Sequence, residues 1–159
     1  MRIALFQPDI PQNTGTILRL AACTGVDADV IEPCGFVWSS ARLRRAGMDY
    51  LDDVAMTRHA SWDAYCRIPR GRLILLTTKS TTAYTAFSFH KDDTLLLGSE
   101  SAGVPDMVHE QADARLRIPM TPAARSLNIA LAAAMVLGEA LRQTGGFPRQ
   151  PTAIGTANE

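Results

Sequence analysis

Apolar residues fall along this chain in short unbroken runs separated by longer mixed stretches. RIALFQ (2–7), RLILLTT (72–78) and DTLLLG (93–98) are apolar almost throughout, and DADVIEP (27–33) and ARLRIPM (114–120) are weaker runs of similar length. Continuous apolar runs of this size fit strands buried on both faces. The stretches between them predict helices. One covers roughly 14–24, with Asn13 as N-cap and Gly25 as its stop. SSARLRRAG (39–47), HASWDAYCRI (59–68) and PDMVHEQA (105–112) are shorter candidates. SLNIALAAAMVLGEALRQ (126–143) is the longest, with Ser126 where the helix begins. Strands alternating with helices predict an α/β fold: a mostly parallel sheet covered by helices on both faces. No repeat or linker divides the chain, so residues 1–147 are expected to form one domain and 148–159 a flexible tail.

The longest helix carries a further expectation. From Ile129 to Gly138 it has no polar side chain. A helix that is apolar all round must be covered on all sides. Either it runs through the core of one chain, or a second subunit covers it, and a homodimer is the expectation preferred here.

Composition narrows the class. The chain has 159 residues, 47% hydrophobic and 20% charged, as in ordinary globular enzymes. No apolar run approaches the ~20 residues needed to span a bilayer. The first residues turn polar after six, too early for a secretory signal, so a cytoplasmic protein is expected. The three cysteines and three histidines match no metal or redox spacing, so no metal is expected. Net charge is zero, which removes any global signal for nucleic acid, but Arg42, Arg44 and Arg45 cluster within four positions. Such a cluster is either a solvated face or a small phosphate grip.

LLLGSESAGVP (95–105) comes close to the G-x-S-x-G elbow of a serine hydrolase. Its spacing fails, because Ser99 stands where the elbow around Ser101 needs glycine, and only His109 follows. No G-x-G-x-x-G follows the first strand and no P-loop is present. What remains is a set of strand ends, LLTTK, LLLGSE and LRIPM, whose backbone can read the edge of a nucleotide-like ligand.

IPQNTGTILRLAACTG, LLLGSESAGVP and RIPMTPAARSLNIALAAAMVLGEALRQ resemble, in order, the three motifs of the SPOUT superfamily of RNA methyltransferases. EPCGFVWSSARLRRAGMDY and LTTKST are similar to the small tRNA (cytidine/uridine-2'-O-)-methyltransferases of the TrmL type, which act on the wobble nucleotide. The resemblance extends over residues 1 to about 147.

That resemblance implies a C-terminal trefoil knot, a homodimer and S-adenosyl-L-methionine as cofactor, with no metal. The methyl acceptor would be the ribose 2'-OH of C34 or U34, in the anticodon stem-loop of tRNA and expected in leucine tRNAs. Leu76, Gly98, Ile118 and Ser126 match the family's cofactor-binding positions. Ser126 is a helix cap alone or a cap that also touches ligand. Asn13 and Arg19 match the N-x-x-x-x-x-R motif assigned to catalysis. Arg19 would either activate the 2'-OH or orient the ribose and phosphate, and the second is physically cheaper because a guanidinium stays protonated. Glu100 and Asn128 match the carboxylate and asparagine of the later motifs, as supporting residues. Arg42, Arg44, Arg45 and Arg125 are the candidate RNA contacts. The apolar run Ile129 to Ala133 departs from relatives that carry Ser or Asn there, which loosens inference about substrate detail. Competing expectations are a 2'-O-methyltransferase for another tRNA or rRNA position, and a non-catalytic RNA-binding dimer.

Overall fold

The computed structural model describes residues 1–39 and 54–149. Among them, six parallel strands form one sheet: β1 (Arg2–Phe6), β2 (Asp27–Ile31), β3 (Met56–His59), β4 (Leu73–Leu76), β5 (Thr94–Leu97) and β6 (Ala114–Leu116). Their order is β3-β2-β1-β5-β4-β6. Among the described residues four α-helices accompany them: α1 (Pro11–Thr24), α2 (Trp62–Cys66), α3 (Asp106–Gln111) and α4 (Ile129–Thr144). No helix among the described residues is long and apolar enough to cross a membrane.

Both faces of the sheet are covered, as the apolar runs predict. Ile3, Leu5, Ala28, Val30, Ile74, Leu95 and Leu97 face one way and meet Ile17, Leu18 and Ala21 of α1 and Ala133, Val136, Leu137 and Leu141 of α4. Ala4, Phe6, Ile31, Leu73, Leu75 and Leu96 face the other and meet Trp62, Tyr65 and Val108. Each of the large side chains in these layers contributes roughly 1.5–3 kcal/mol by leaving water. One polar cluster interrupts the second face, where buried Asp29 accepts from Arg2 Nε (2.8 Å) and lies 2.7 Å from His59 Nε2.

Several boundaries differ from the sequence expectation. HASWDAYCRI is not one helix: His59 ends strand β3, and α2 starts only after Ser61, whose hydroxyl accepts from Ala64 N–H. The strand MTRH escapes a reading by hydropathy because it lies at the sheet edge, with Thr57 and Arg58 exposed. Asn13 is not an N-cap. Helix α1 begins at Pro11 after Ile10, and no side chain caps it; Gly25 does close it, at φ 67°. The last helix begins three residues later than expected. Its N-cap is Asn128, whose side-chain oxygen accepts from Ala130 N–H (2.9 Å) and Leu131 N–H (3.3 Å), so Ser126 lies before the helix. The tail expected from 148 lies, beyond Arg149, outside the described residues, as does most of SSARLRRAG.

Strand β6 is held on both edges by one stretch of chain. Towards β4, Leu116 O accepts from Thr77 N–H (2.9 Å). On the opposite edge, Arg117 N–H donates to Thr82 O (2.9 Å), Tyr84 N–H donates to Arg117 O (3.0 Å), and Ser80 Oγ donates to Arg115 O (2.7 Å). The β4–β5 connection therefore wraps around the C-terminal strand before the chain runs back to place α4 against α1 and β5.

Candidate active site

A cleft of ≈ 540 Å³ opens at the carboxyl ends of β4, β5 and β6. Its floor is apolar, from Leu75, Leu76, Leu97 and Leu116, the closing residues of the three strands. Its walls are the loops that follow: Thr77 to Lys79, Gly98 to Val104, and Arg117 to Met120 with Ser126 to Ile129. The size falls within the ~300–1,000 Å³ of small-molecule sites. The position is also the one expected of an open parallel sheet, where ligands sit outside the carboxyl ends of strands. The order of strands turns back between β1 and β5, whose chains continue into α1 and α3.

The cleft brings together Leu76, Gly98, Ile118 and Ser126, and with them Asn13, Glu100 and Asn128. Arg19 and Arg125 are exposed and do not line it. Arg42, Arg44 and Arg45 lie outside the described residues.

Three of these side chains form a directed chain of hydrogen bonds. Helix N-terminal N–H groups can only donate, so Asn128 turns its oxygen to α4 and its Nδ2 outward. That Nδ2 donates to Asn13 Oδ1 (3.0 Å), and Asn13 Nδ2 donates to Glu100 Oε1 (2.9 Å). The amide orientations are fixed by this logic, because each donor meets an acceptor only when the chain ends on a carboxylate.

Glu100 is joined to a residue that sequence reading overlooked. Asp9 N–H donates to Glu100 Oε2 (3.1 Å), and Glu100 N–H donates back to Asp9 Oδ1 (3.1 Å). Ser101 adds its N–H (3.2 Å) and its hydroxyl to Asp9 Oδ2. The serines of LLLGSESAGVP are therefore bracing groups, not nucleophiles. The Asp9 carboxylate is lowered to about 2 by its hydrogen bonds with Glu100 and Ser101. Glu100 moves the other way, raised by burial and by the neighbouring Asp9. Asp9 has no motif-level signal. Its loop is fixed from the far side by Gly35, whose N–H donates to Pro8 O (2.9 Å) and where a Cβ would lie 2.5 Å from Asp9 Cβ.

Gly98 answers a similar demand. A Cβ at 98 would lie 2.5 Å from the carbonyl carbon of Gly103, because Ser99 and Gly103 exchange backbone hydrogen bonds of 3.0 and 2.8 Å. The glycine is required by the closure of its own loop, whatever approaches it from the cleft. Lys79, Arg117 and His109 also line the cleft and were not singled out by sequence. Lys79 lies three residues after β4 and Arg117 directly after β6, and this closeness to strand ends is the signal that could have found them.

Residues 1–138 match the family model described as the SpoU rRNA Methylase family. The chain belongs to this SpoU methylase family. Among curated SpoU relatives, a protein of Beijerinckia indica subsp. indica named tRNA (cytidine(34)-2'-O)-methyltransferase is 60% identical over 150 residues, covering 92% of this chain and 94% of the relative. Among solved structures, a chain from work on the 2-OH methylation of C/U34 on tRNA superposes with TM-score 0.84 at 39% identity, covering 89% of this chain and 94% of that one. An AdoMet-bound rRNA methyltransferase from Sinorhizobium meliloti superposes with TM-score 0.80 at 27% identity, covering 89% of this chain but 55% of the other. The SpoU motifs and the cleft thus coincide: all three motif segments supply residues to its lining or to the hydrogen-bond chain that holds it.

Proposed function

We propose that this protein transfers a methyl group from S-adenosyl-L-methionine to the ribose 2'-oxygen of nucleotide 34 of tRNA, C or U, expected in leucine tRNAs. The observation that carries the reading is the cleft at three strand ends, built from the SpoU motif residues, in a chain so similar along its whole matched length to a relative named for this reaction. Incubation with labelled S-adenosylmethionine and unmodified tRNA, followed by mapping of the methyl, tests it. A methyl elsewhere in tRNA or rRNA, or binding of tRNA with no transfer, would overturn it in favour of the competing expectations.

The residues fit the cofactor. Main chain at Leu76, Gly98 and Ile118 offers hydrogen-bonding groups above an apolar floor suited to a heterocycle, and Ser126 adds a hydroxyl. The cofactor supplies a methyl made electrophilic by its positive sulfur, so no metal is needed for the step. The protein's part is to align the ribose oxygen with that carbon at ~3–3.5 Å and keep it there. Asn13, Glu100 and Asn128 serve by holding the two loops that shape the cleft.

Arg19 is exposed on α1 and does not line the cleft of its own chain. A homodimer would give it a role. Leu131 and Met135 of α4 are 57% and 44% exposed, and Leu127 and Ile10 beside the cleft are 37% and 40% exposed. This apolar face is what a second subunit would cover, and the exposed side of α1 would then reach the partner's cleft. Arg19 orients ribose and phosphate there, and Arg19→Ala is expected to lose turnover rather than cofactor affinity. Mixing an Arg19 variant with a Ser126 variant should restore part of the activity; absence of rescue would argue for a self-contained subunit. Arg42, Arg44, Arg45 and Arg125 complete the grip on the anticodon stem-loop, and neutralising them should weaken tRNA binding and flatten its salt dependence. The wrapped strand β6 supports the trefoil knot, and the protein works in the cytoplasm.

A further inference from the structure

His109 lies on α3 and is one of the residues that line the cleft. On one side it meets Arg115, whose Nε donates to His109 O (2.8 Å) and to His109 Nδ1 (3.1 Å), while Arg115 NH2 donates to Glu110 O (3.0 Å). The two carbonyls fix the guanidinium in place. A guanidinium has only N–H groups to offer, so Nδ1 must be the accepting nitrogen. In the neutral ring the proton then sits on Nε2. That nitrogen is buried and has no hydrogen-bond partner among the described residues. A buried donor without an acceptor costs the full desolvation of the group. The ring could avoid that cost by presenting Nδ1–H to a carbonyl instead, but Arg115 prevents it. The donor is thus unsatisfied and closed to solvent, in a residue that lines a cleft whose walls include the apolar Val104 and Leu116.

We infer that His109 reads the cofactor, its Nε2–H donating to a ring nitrogen of the adenine when S-adenosylmethionine binds. The inference rests on the cofactor reading given above. A purine carries acceptor nitrogens within an otherwise apolar disc, which matches one buried donor among aliphatic side chains. The charged aminoacyl end of the same molecule would instead need charged partners. Arg115 acts through His109 and is a positioning residue.

The test uses the whole protein and S-adenosylhomocysteine, with its 1-deaza, 3-deaza and 7-deaza analogues, by calorimetry and by ¹⁵N NMR of the histidine rings. In the unliganded protein, His109 is expected to carry its proton on Nε2, and that resonance should move when S-adenosylhomocysteine is added. One deaza analogue should bind the wild type about tenfold more weakly than the others, the worth of one buried hydrogen bond. His109→Phe should lose that discrimination. Binding that leaves the Nε2 resonance in place, or equal affinity for all three analogues, would overturn the role of His109 and leave the cofactor reading intact. Failure to bind S-adenosylhomocysteine at all would overturn both. The NMR measurement needs no variant, so an unstable His109→Phe protein does not blunt the test.

Discussion

Replacing Glu100 with glutamine changes one acceptor into a donor at the end of a chain that has no room for another donor. Glu100 Oε1 accepts from Asn13 Nδ2 at 2.9 Å and Oε2 from Asp9 N–H at 3.1 Å. Glutamine keeps one oxygen, so one of these N–H groups must face an NH2. Turning the Asn13 amide moves the conflict to Asn128, and turning Asn128 moves it to the N–H groups of Ala130 and Leu131. The mismatch can be relocated but never removed. An unpaired polar group costs about 1–3 kcal/mol when buried, and this half-buried one belongs at the lower end. For a chain of this size that lowers Tm by about 3–6 °C. Asn13→Asp alone puts two carboxylates face to face and should also destabilise. The double variant Asn13→Asp/Glu100→Gln restores every pairing, since the carboxylate introduced at position 13 accepts from both neighbours and the glutamine oxygen takes Asp9 N–H. Thermal unfolding of the four proteins at about pH 8, well above the ordinary carboxylate range, forms a double-mutant cycle. A coupling energy above about 1 kcal/mol in favour of the double variant is expected. Additive losses would refute the directed chain.

Three other outcomes follow from the same site. Gly98→Ala places a methyl 2.5 Å from the Gly103 carbonyl carbon, so the loop must open; the expected loss is about 1–3 kcal/mol, together with weaker S-adenosylhomocysteine binding by calorimetry. Asn128→Ala removes the cap of α4 and the donor to Asn13, which should cost about 0.5–2 kcal/mol in urea unfolding. Asp9, lowered to about 2, contributes stability that is present above its unfolded value near 4 and is lost as pH falls towards 2. Glu100 is raised, so its contribution has the opposite sign: present at low pH and lost as pH rises through its folded value. Asp9→Asn should therefore flatten the fall in Tm between about pH 4 and pH 2, and an unchanged slope would show that the carboxylate is not held as described.

Hydropathy alone marked five of the six described strands, most plainly β1, β4 and β5, because strands buried on both faces leave few polar positions to confuse the pattern. It also marked the stop of α1 at Gly25, where only a residue tolerant of φ 67° closes the helix cheaply. Leu76, Gly98 and Ile118 were legible because they sit at or just after strand ends, whereas Asn13, Glu100, Ser126 and Asn128 were marked by the resemblance to the family motifs. β3 was not legible, since an edge strand needs few apolar residues. Nor were the two helix starts: Asn13 and Ser126 have the chemistry of caps, but Asn13 gives its side chain to a partner 87 residues away. Asp9 was invisible for the same reason. Its neighbour in sequence is a proline turn, and its neighbour in space is Glu100, 91 residues on. That contact exists only because β1 and β5 lie side by side, which no local pattern encodes. Sequence by itself determined most of the strands and the longer helices, and which residue types gather at their ends. Tertiary structure decided which ends meet, and so which carboxylate ends the chain of donors, which histidine has a buried ring nitrogen without a partner among the described residues, and which motif arginine is absent from the lining of the cleft. Local propensity acts over one or two turns of chain, whereas these choices rest on hydrogen bonds fixed by the order of strands in the sheet.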